Sequence, residues 1–340
     1  MRKLIFAAFA VACILASCQK YELGEQSVTT SDWQSALPGD MPVSQVSLPG
    51  SHDAGTASIK IPIVQGFAKT QVLSIAKQWD YGVRVFDLRP AVVDGDLLIC
   101  HSSIKTKTSF ADAVGSIVKA LDRNPSEFAV VVIRHEEEAD GDSDKWAGMM
   151  ADYIGSLPTA RVTRDFNPYM TVDQMRGHIL FLFREDIEDP NIGARIYDWT
   201  SSDDLERQKS AKIGDGVLWV QDYYDPEDAD DKMAAIMGLM GSYAEHSRPG
   251  VWCINHASGY NHAIFGAPNY GSNAENVNAA TADYIRTLKG DIGIVLMDFA
   301  GAKRYKSFEV GGDELLRAVI EHNPLTTRVT FTEGAVIYED

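Results

Sequence analysis

The chain has 340 residues, 45% of them hydrophobic, which is enough for one barrel-sized core of roughly 250–300 residues. It carries 31 Lys and Arg against 48 Asp and Glu, a formal charge of −17. That balance disfavours nucleic acid as a partner, since phosphate binding needs clustered basic residues. It equally disfavours strong electrostatic docking on anionic lipid.

The chain opens like a secretory signal, with Arg2 and Lys3 before an apolar core from Leu4 to Leu15. That core is short for a membrane span. Leu15-Ala16-Ser17-Cys18 resembles a bacterial lipobox, which implies removal of residues 1–17 and acylation of Cys18. Residues 18–40 are then expected to form a lipidated tether and 41–340 a single domain. The expected location is the bacterial cell envelope, on a lipid anchor. Cys100 and Cys253 lie in apolar runs and read as buried thiols, and no cysteine spacing suggests a zinc site.

Short β-rich runs then alternate with helical segments. Residues 43–48 read as a strand, 61–77 as one helix or two, and 83–88 and 97–100 as strands. Residues 110–122 form an amphipathic helix ending near Asn124-Pro125. The near-continuous apolar run 128–133 suits a strand buried on both faces. A helix over 146–157, strands at 179–183 and 217–220, and a helix over 229–245 follow. Strands at 251–254 and 292–297 flank a helix at 279–289, and the Gly- and Asn-rich stretch 258–280 reads as a rim loop. Residues 326–340 offer a weak terminal strand or hairpin. Such alternation implies parallel crossovers, hence a (β/α) barrel or an open α/β sheet.

Chemistry-bearing residues gather where apolar runs end: His52 and Asp53 after Pro49-Gly50, then Asp87 and Arg89, His101, Arg134, Arg184, Asp222 and Asp298. In a barrel, the C-terminal ends of the strands form the catalytic face. Two histidines, an arginine and several aspartates are the parts needed for acid–base chemistry on a phosphodiester. No G-x-S-x-G elbow accompanies Ser51, so a serine hydrolase is not indicated.

The segments SLPGSHDAGT, YGVRVFDLRP, LLICH, FAVVVIRHE, ILFLFRE, VLWVQDYYD and GIVLMDFAG, in that order, resemble the X-domain of bacterial phosphatidylinositol-specific phospholipase C. The resemblance runs from about Ser44 to Ala302. It implies a distorted, incompletely closed TIM-type (β/α) barrel. It implies His52 as general base oriented by Asp298, His101 as general acid with Asp53 behind it, and Arg89 as the phosphate clamp supported by Asp87. Arg134, Arg184, Asp222 and Tyr224 would hold the inositol ring, with adjacent Tyr223 an alternative to Tyr224. Arg134 departs from the lysine of well-known members, and a planar fork and a point ammonium are not interchangeable. The expected reaction is metal-independent, needs no cofactor, and gives diacylglycerol and inositol 1,2-cyclic phosphate. The substrate would be phosphatidylinositol, an inositol sphingolipid or a glycosylated inositol anchor. Ile61, Ile63, Val64 and Phe67 lie where the family touches membrane. A metal-dependent glycerophosphodiesterase-like barrel and a non-catalytic inositol-glycolipid-binding lipoprotein are the competing readings.

Overall fold

The computed structural model describes residues 27–60, 62–187, 189, 191–201, 210–262 and 267–338. The signal-like segment, Cys18 and Ile61 lie outside these, as do the side chains of Ile63 and Val64.

Nine strands form a closed ring. In chain order they are β1 (Leu48–Ser51), β2 (Val85–Leu88), β3 (Ala129–Ile133), β4 (Ile179–Phe183), β5 (Ala194–Tyr197), β6 (Ser210–Ile213), β7 (Gly216–Gln221), β8 (Val251–His256) and β9 (Ile294–Met297). Around the ring they run β6-β7-β8-β9-β1-β2-β3-β4-β5. Every pairing is parallel except those of β6, which is antiparallel to both β5 and β7. The distorted TIM-type barrel implied by the sequence is therefore present, but its expected gap is not. β6 fills the seam, bonded to β5 through only two residue pairs, Tyr197–Lys212 and Ile196–Ile213.

Local sequence explains the regular parts. β3 and β4 read Ala-Val-Val-Val-Ile and Ile-Leu-Phe-Leu-Phe and are buried at every position, covered by helices outside and core within. The helix Phe110–Arg123 starts where the Ser109 side chain accepts from the Asp112 amide. It buries Phe110, Ala113, Val114, Ile117, Ala120 and Leu121, the spacing of one helical face.

Several expectations are corrected. The strand bearing His101 is not in the barrel. Asp96–His101 is the middle of a separate antiparallel sheet, between Pro90–Val93 and Ile104–Ser109, that leaves the barrel after β2. After Ile61 the chain forms two helices, Pro62–Ala68 and Ile75–Tyr81, one of the two forms expected there. The helix expected at 279–289 starts earlier, as Tyr270–Thr287, within the stretch read as loop. Its Asn-rich first turns lack an apolar stripe strong enough to announce it. The C-terminal strands do not form a hairpin. Arg328–Thr330 pairs with Ser27–Thr29, and Ala335–Ile337 pairs with Ala302–Tyr305.

Residues 27–40 are folded, contrary to their reading as tether. The turn of 3-10 helix Thr30–Ala36 lies across the N-terminal end of the barrel, where Trp33 is fully buried and its indole N–H donates to Gly82 O at 2.9 Å. Beside it, Arg84 is wholly buried and spends its fork on Glu127 (2.7 and 2.9 Å) and on the carbonyls of Thr30, Ser31, Trp79 and Val83. No helix among the described residues is long and apolar enough to cross a membrane.

Candidate active site

A cavity of about 350 Å³ opens at the C-terminal end of the barrel. His52, Arg89, His101, Arg134, Asp222 and Tyr224 line it, together with Glu136, Ser201 and Tyr270. The backbone brings His52 here by a sharp exit from β1. Gly50 packs so closely that a Cβ would lie 2.5 Å from Leu296 Cδ2, and Asp53 takes a left-handed φ of 44°.

His52 Nδ1 lies 2.8 Å from Asp298 Oδ1. A carboxylate accepts, so Nδ1 carries the proton and Nε2 is the nitrogen turned to the cavity. Asp298 is fixed in turn by the Gly259 amide, which donates to Oδ2 at 3.2 Å. Burial alone would lower the His52 pKa, but the carboxylates of Asp53 and Asp298 outweigh it and raise the value to about 9.

Arg89, leaving β2, lies 2.5 Å through Nε from Asp53 Oδ1 and 3.3 Å through Nη2 from Asp87 Oδ2. The same Nη2 is 2.9 Å from His52 Nε2. Burial opposes the guanidinium charge, yet Asp53 and Asp87 hold its pKa above the ordinary value. Burial likewise pushes Asp53 up, but Arg89, His52 and His101 keep its carboxyl well below the usual range. Asp53 Oδ2 lies between the two histidines, 3.3 Å from His52 Nε2 and 3.7 Å from His101 Nδ1. His101 Nδ1 also meets the Ala68 carbonyl at 2.8 Å, so its Nε2 faces the cavity.

His52, Asp53 and Asp87 could bring one ligand atom each within 4.8 Å of one another, the kind of set that holds a cation. All three face Arg89, whose permanent positive charge lies among them. One of the two carboxylate charges is thus already met by the protein itself.

The ring-binding candidates form a second group. Arg184 Nη2 donates to Ser201 Oγ at 2.9 Å, and Ser201 Oγ donates to Asp222 Oδ2 at 3.0 Å. Trp199 Nε1 donates to the same oxygen at 3.0 Å, and the Arg184 guanidinium stacks 4.2 Å from the Trp199 ring. Burial lowers the Arg184 pKa to about 10, against the pull of Asp222. Tyr224 lines the cavity and is 41% exposed, whereas Tyr223 is buried, so of the two it is Tyr224 that stands at the cavity. Arg134 lines the cavity, and among the described residues it forms no close ion pair with neighbouring Glu136 or Glu185.

Sequence reasoning missed Trp199, Ser201, Glu136, Tyr270 and His256. His256 ends β8, buried, with Nδ1 3.7 Å from Asp222 Oδ1, and burial lowers its pKa to about 4. Glu136 is buried at the cavity wall, where burial pushes its carboxyl up against the pull of Arg89. Its place two residues after Arg134, at a strand end, was a usable signal. Cys100 and Cys253 are buried and unpaired.

Residues 46–185 match the family described as phosphatidylinositol-specific phospholipase C, X domain. The chain is 28% identical over 172 residues to a 1-phosphatidylinositol phosphodiesterase of Listeria monocytogenes, an alignment spanning 49% of this chain and 52% of that one. It is 24% identical over 309 residues to a protein of the same name from Staphylococcus aureus, covering 87% of this chain and 95% of that one. Among solved structures, a phosphatidylinositol-specific phospholipase C of Staphylococcus aureus superposes with a TM-score of 0.74 at 22% identity, covering 88% of this chain and all of that one (100%). The Listeria monocytogenes counterpart gives 0.64 at 20% identity, with 88% of this chain covered.

Proposed function

This chain carries the X domain of the phosphatidylinositol-specific phospholipase C family, and from that premise we propose that it cleaves an inositol phospholipid by metal-independent intramolecular phosphoryl transfer. The observation that carries the reading is Arg89, held by Asp53 and Asp87 and touching the free nitrogen of His52, with His101 lining the same cavity.

The steps follow from that geometry. The phosphodiester is anionic and takes Arg89 as its clamp, which frees His52 Nε2. The inositol 2-hydroxyl gives its proton to Nε2 and attacks phosphorus, closing a five-membered ring. The bond from phosphorus to the glycerol oxygen breaks, and that oxygen takes a proton from His101. Diacylglycerol leaves, and inositol 1,2-cyclic phosphate remains. The nucleophile belongs to the substrate, so its placement is largely prepaid. Arg89 gains strength as charge accumulates on the equatorial oxygens, which favours the transition state over the ground state. Arg184, Asp222 and Tyr224, with Arg134, offer the polar contacts a ring of hydroxyls requires. Phosphatidylinositol is the first substrate to test, before inositol sphingolipids and glycosylated anchors.

The lipobox-like sequence at Cys18 supports acylation and a place in the bacterial envelope. Phe67, 42% exposed beside the first catalytic turn, supports contact with the lipid surface.

Phosphorus NMR of the soluble product, with residues 19–340 on phosphatidylinositol micelles in excess chelator, tests the reading. An early cyclic phosphate, lost in His52→Ala and in His101→Ala, is expected. Turnover that appears only when a divalent ion is restored overturns the metal-free mechanism. Binding without turnover under both conditions moves the protein to the glycolipid-binding class.

A further inference from the structure

His101 Nδ1 faces a backbone carbonyl, which can only accept, so Nδ1 keeps its proton in both charge states of the ring. The proton that is handed over must travel through Nε2. In the structure the hydroxyl of Tyr270 lies 3.2 Å from that atom.

Tyr270 is not a surface residue that happens to reach inward. It is 7% exposed and opens the helix Tyr270–Thr287, whose first turn is fixed by Asn269 Oδ1 accepting from the Ser272 amide at 3.0 Å. The next residue, Gly271, sits so close to Phe308 that a Cβ would come within 2.6 Å of its ring, which pins the helix start against the barrel mouth. Tyr260 packs edge-on to the Tyr270 ring at 5.8 Å. Burial, with Asp53 and Asp298 nearby, pushes the phenol above its ordinary pKa, so it remains a neutral hydroxyl.

We propose that Tyr270 is a positioning residue for the proton donor, holding His101 Nε2 on the line to the departing oxygen; this rests on the acid role given to His101. A hydroxyl suits the task because it both accepts and donates. At 3.2 Å it shares the Nε2–H with the departing oxygen, as the longer arm of a three-centre bond, while the ring is an imidazolium, and it donates to Nε2 once the proton has passed to that oxygen. The ring therefore keeps one orientation before and after transfer. A water could exchange and rotate, whereas a phenol anchored on a helix cannot.

The test compares two leaving groups in the intact chain. Diacylglycerol needs a proton to depart, while p-nitrophenolate, from p-nitrophenyl inositol phosphate, leaves without one. The readout is the ratio of kcat on phosphatidylinositol to kcat on the aryl substrate. Tyr270→Phe keeps the ring and removes the hydroxyl, and it is expected to lower that ratio about tenfold, the worth of one well-placed hydrogen bond. His101→Ala is expected to lower it further. A ratio that falls in His101→Ala but stays at the wild-type value in Tyr270→Phe overturns the proposal, even if both rates drop together. A ratio unmoved by His101→Ala overturns the acid role itself, which separates the two failures.

Discussion

Two arginines flank one four-residue strand, and they have opposite fates. Arg84 precedes β2 at the N-terminal end of the barrel, and Arg89 follows it at the C-terminal end. Arg84 gives its fork to Glu127 and four carbonyls, and its guanidinium stacks 4.0 Å from Trp79. Arg89 meets two aspartates and a histidine on one side, and it lines the cavity on the other. Both are buried ions with carboxylate partners. One is saturated and can only hold the fold together; the other keeps capacity for an incoming anion. Burial and pairing alone do not mark a catalytic residue; what the donors still face does.

That contrast can be broken or sharpened by measurement. The largest effect is expected at the cavity. His52→Ala should cost about 10⁴-fold in kcat on phosphatidylinositol, measured per folded molecule. Arg89→Lys keeps the charge and loses the fork, and should cost about 10²-fold. The same change at Arg84 should leave activity per folded molecule intact while lowering stability by about 3 kcal/mol in urea titrations. If Arg84→Lys lost activity without losing stability, the division between the two poles would be wrong.

The pH profile comes next. A general base works unprotonated, so kcat/KM should rise with pH, and its half-rise should lie near 9 rather than 6.5. Asp298→Asn removes one of the carboxylates that raise the value and should move that limb down by about one unit.

The smallest effect concerns Lys232, buried beneath the cavity, where its ammonium meets Gln221 Oε1 at 3.3 Å and the Tyr223 carbonyl at 2.5 Å. Burial lowers its pKa from 10.5 to about 7. Between those values the unfolded chain holds the proton and the folded chain does not, so stability gains with rising pH. His52 acts in the other direction, because between 6.5 and about 9 the folded chain holds the proton and stability is lost as pH rises. The two slopes oppose each other between about 7 and 9. Lys232→Met should expose the falling one, by up to about 1.4 kcal/mol per pH unit.

The poles also differ in how far they could be read from sequence. Arg89, His52 and Asp298 sit at the ends of apolar runs, where a barrel places its chemistry, so position and residue type were visible together. Trp199 and Ser201 follow the short strand β5, whose alternating burial gives little signal, and they reach Asp222 across a seam that no local pattern announces. Tyr270 was hidden for another reason. Its helix begins in a Gly- and Asn-rich stretch that favours turns, and tertiary contact with Phe308 overrides that preference. The closing strand β6 depends on antiparallel pairing to both neighbours, a property of the ring rather than of four residues.

The direction from which the chain enters the domain has a consequence for reach. Ser27–Thr29 and the turn after it lie at the barrel end opposite the cavity, bound to Gly82 and to Glu127 ahead of β2 and β3. Eight residues separate Cys18 from Ser27, a span of about 30 Å at full extension. The helix Ala229–His246 alone, with 18 residues, covers about 27 Å of the domain's height. A lipid carried on Cys18 would therefore hold the molecule by its back with the mouth pointing outward, suited to lipid presented from a facing bilayer rather than from the leaflet that bears it.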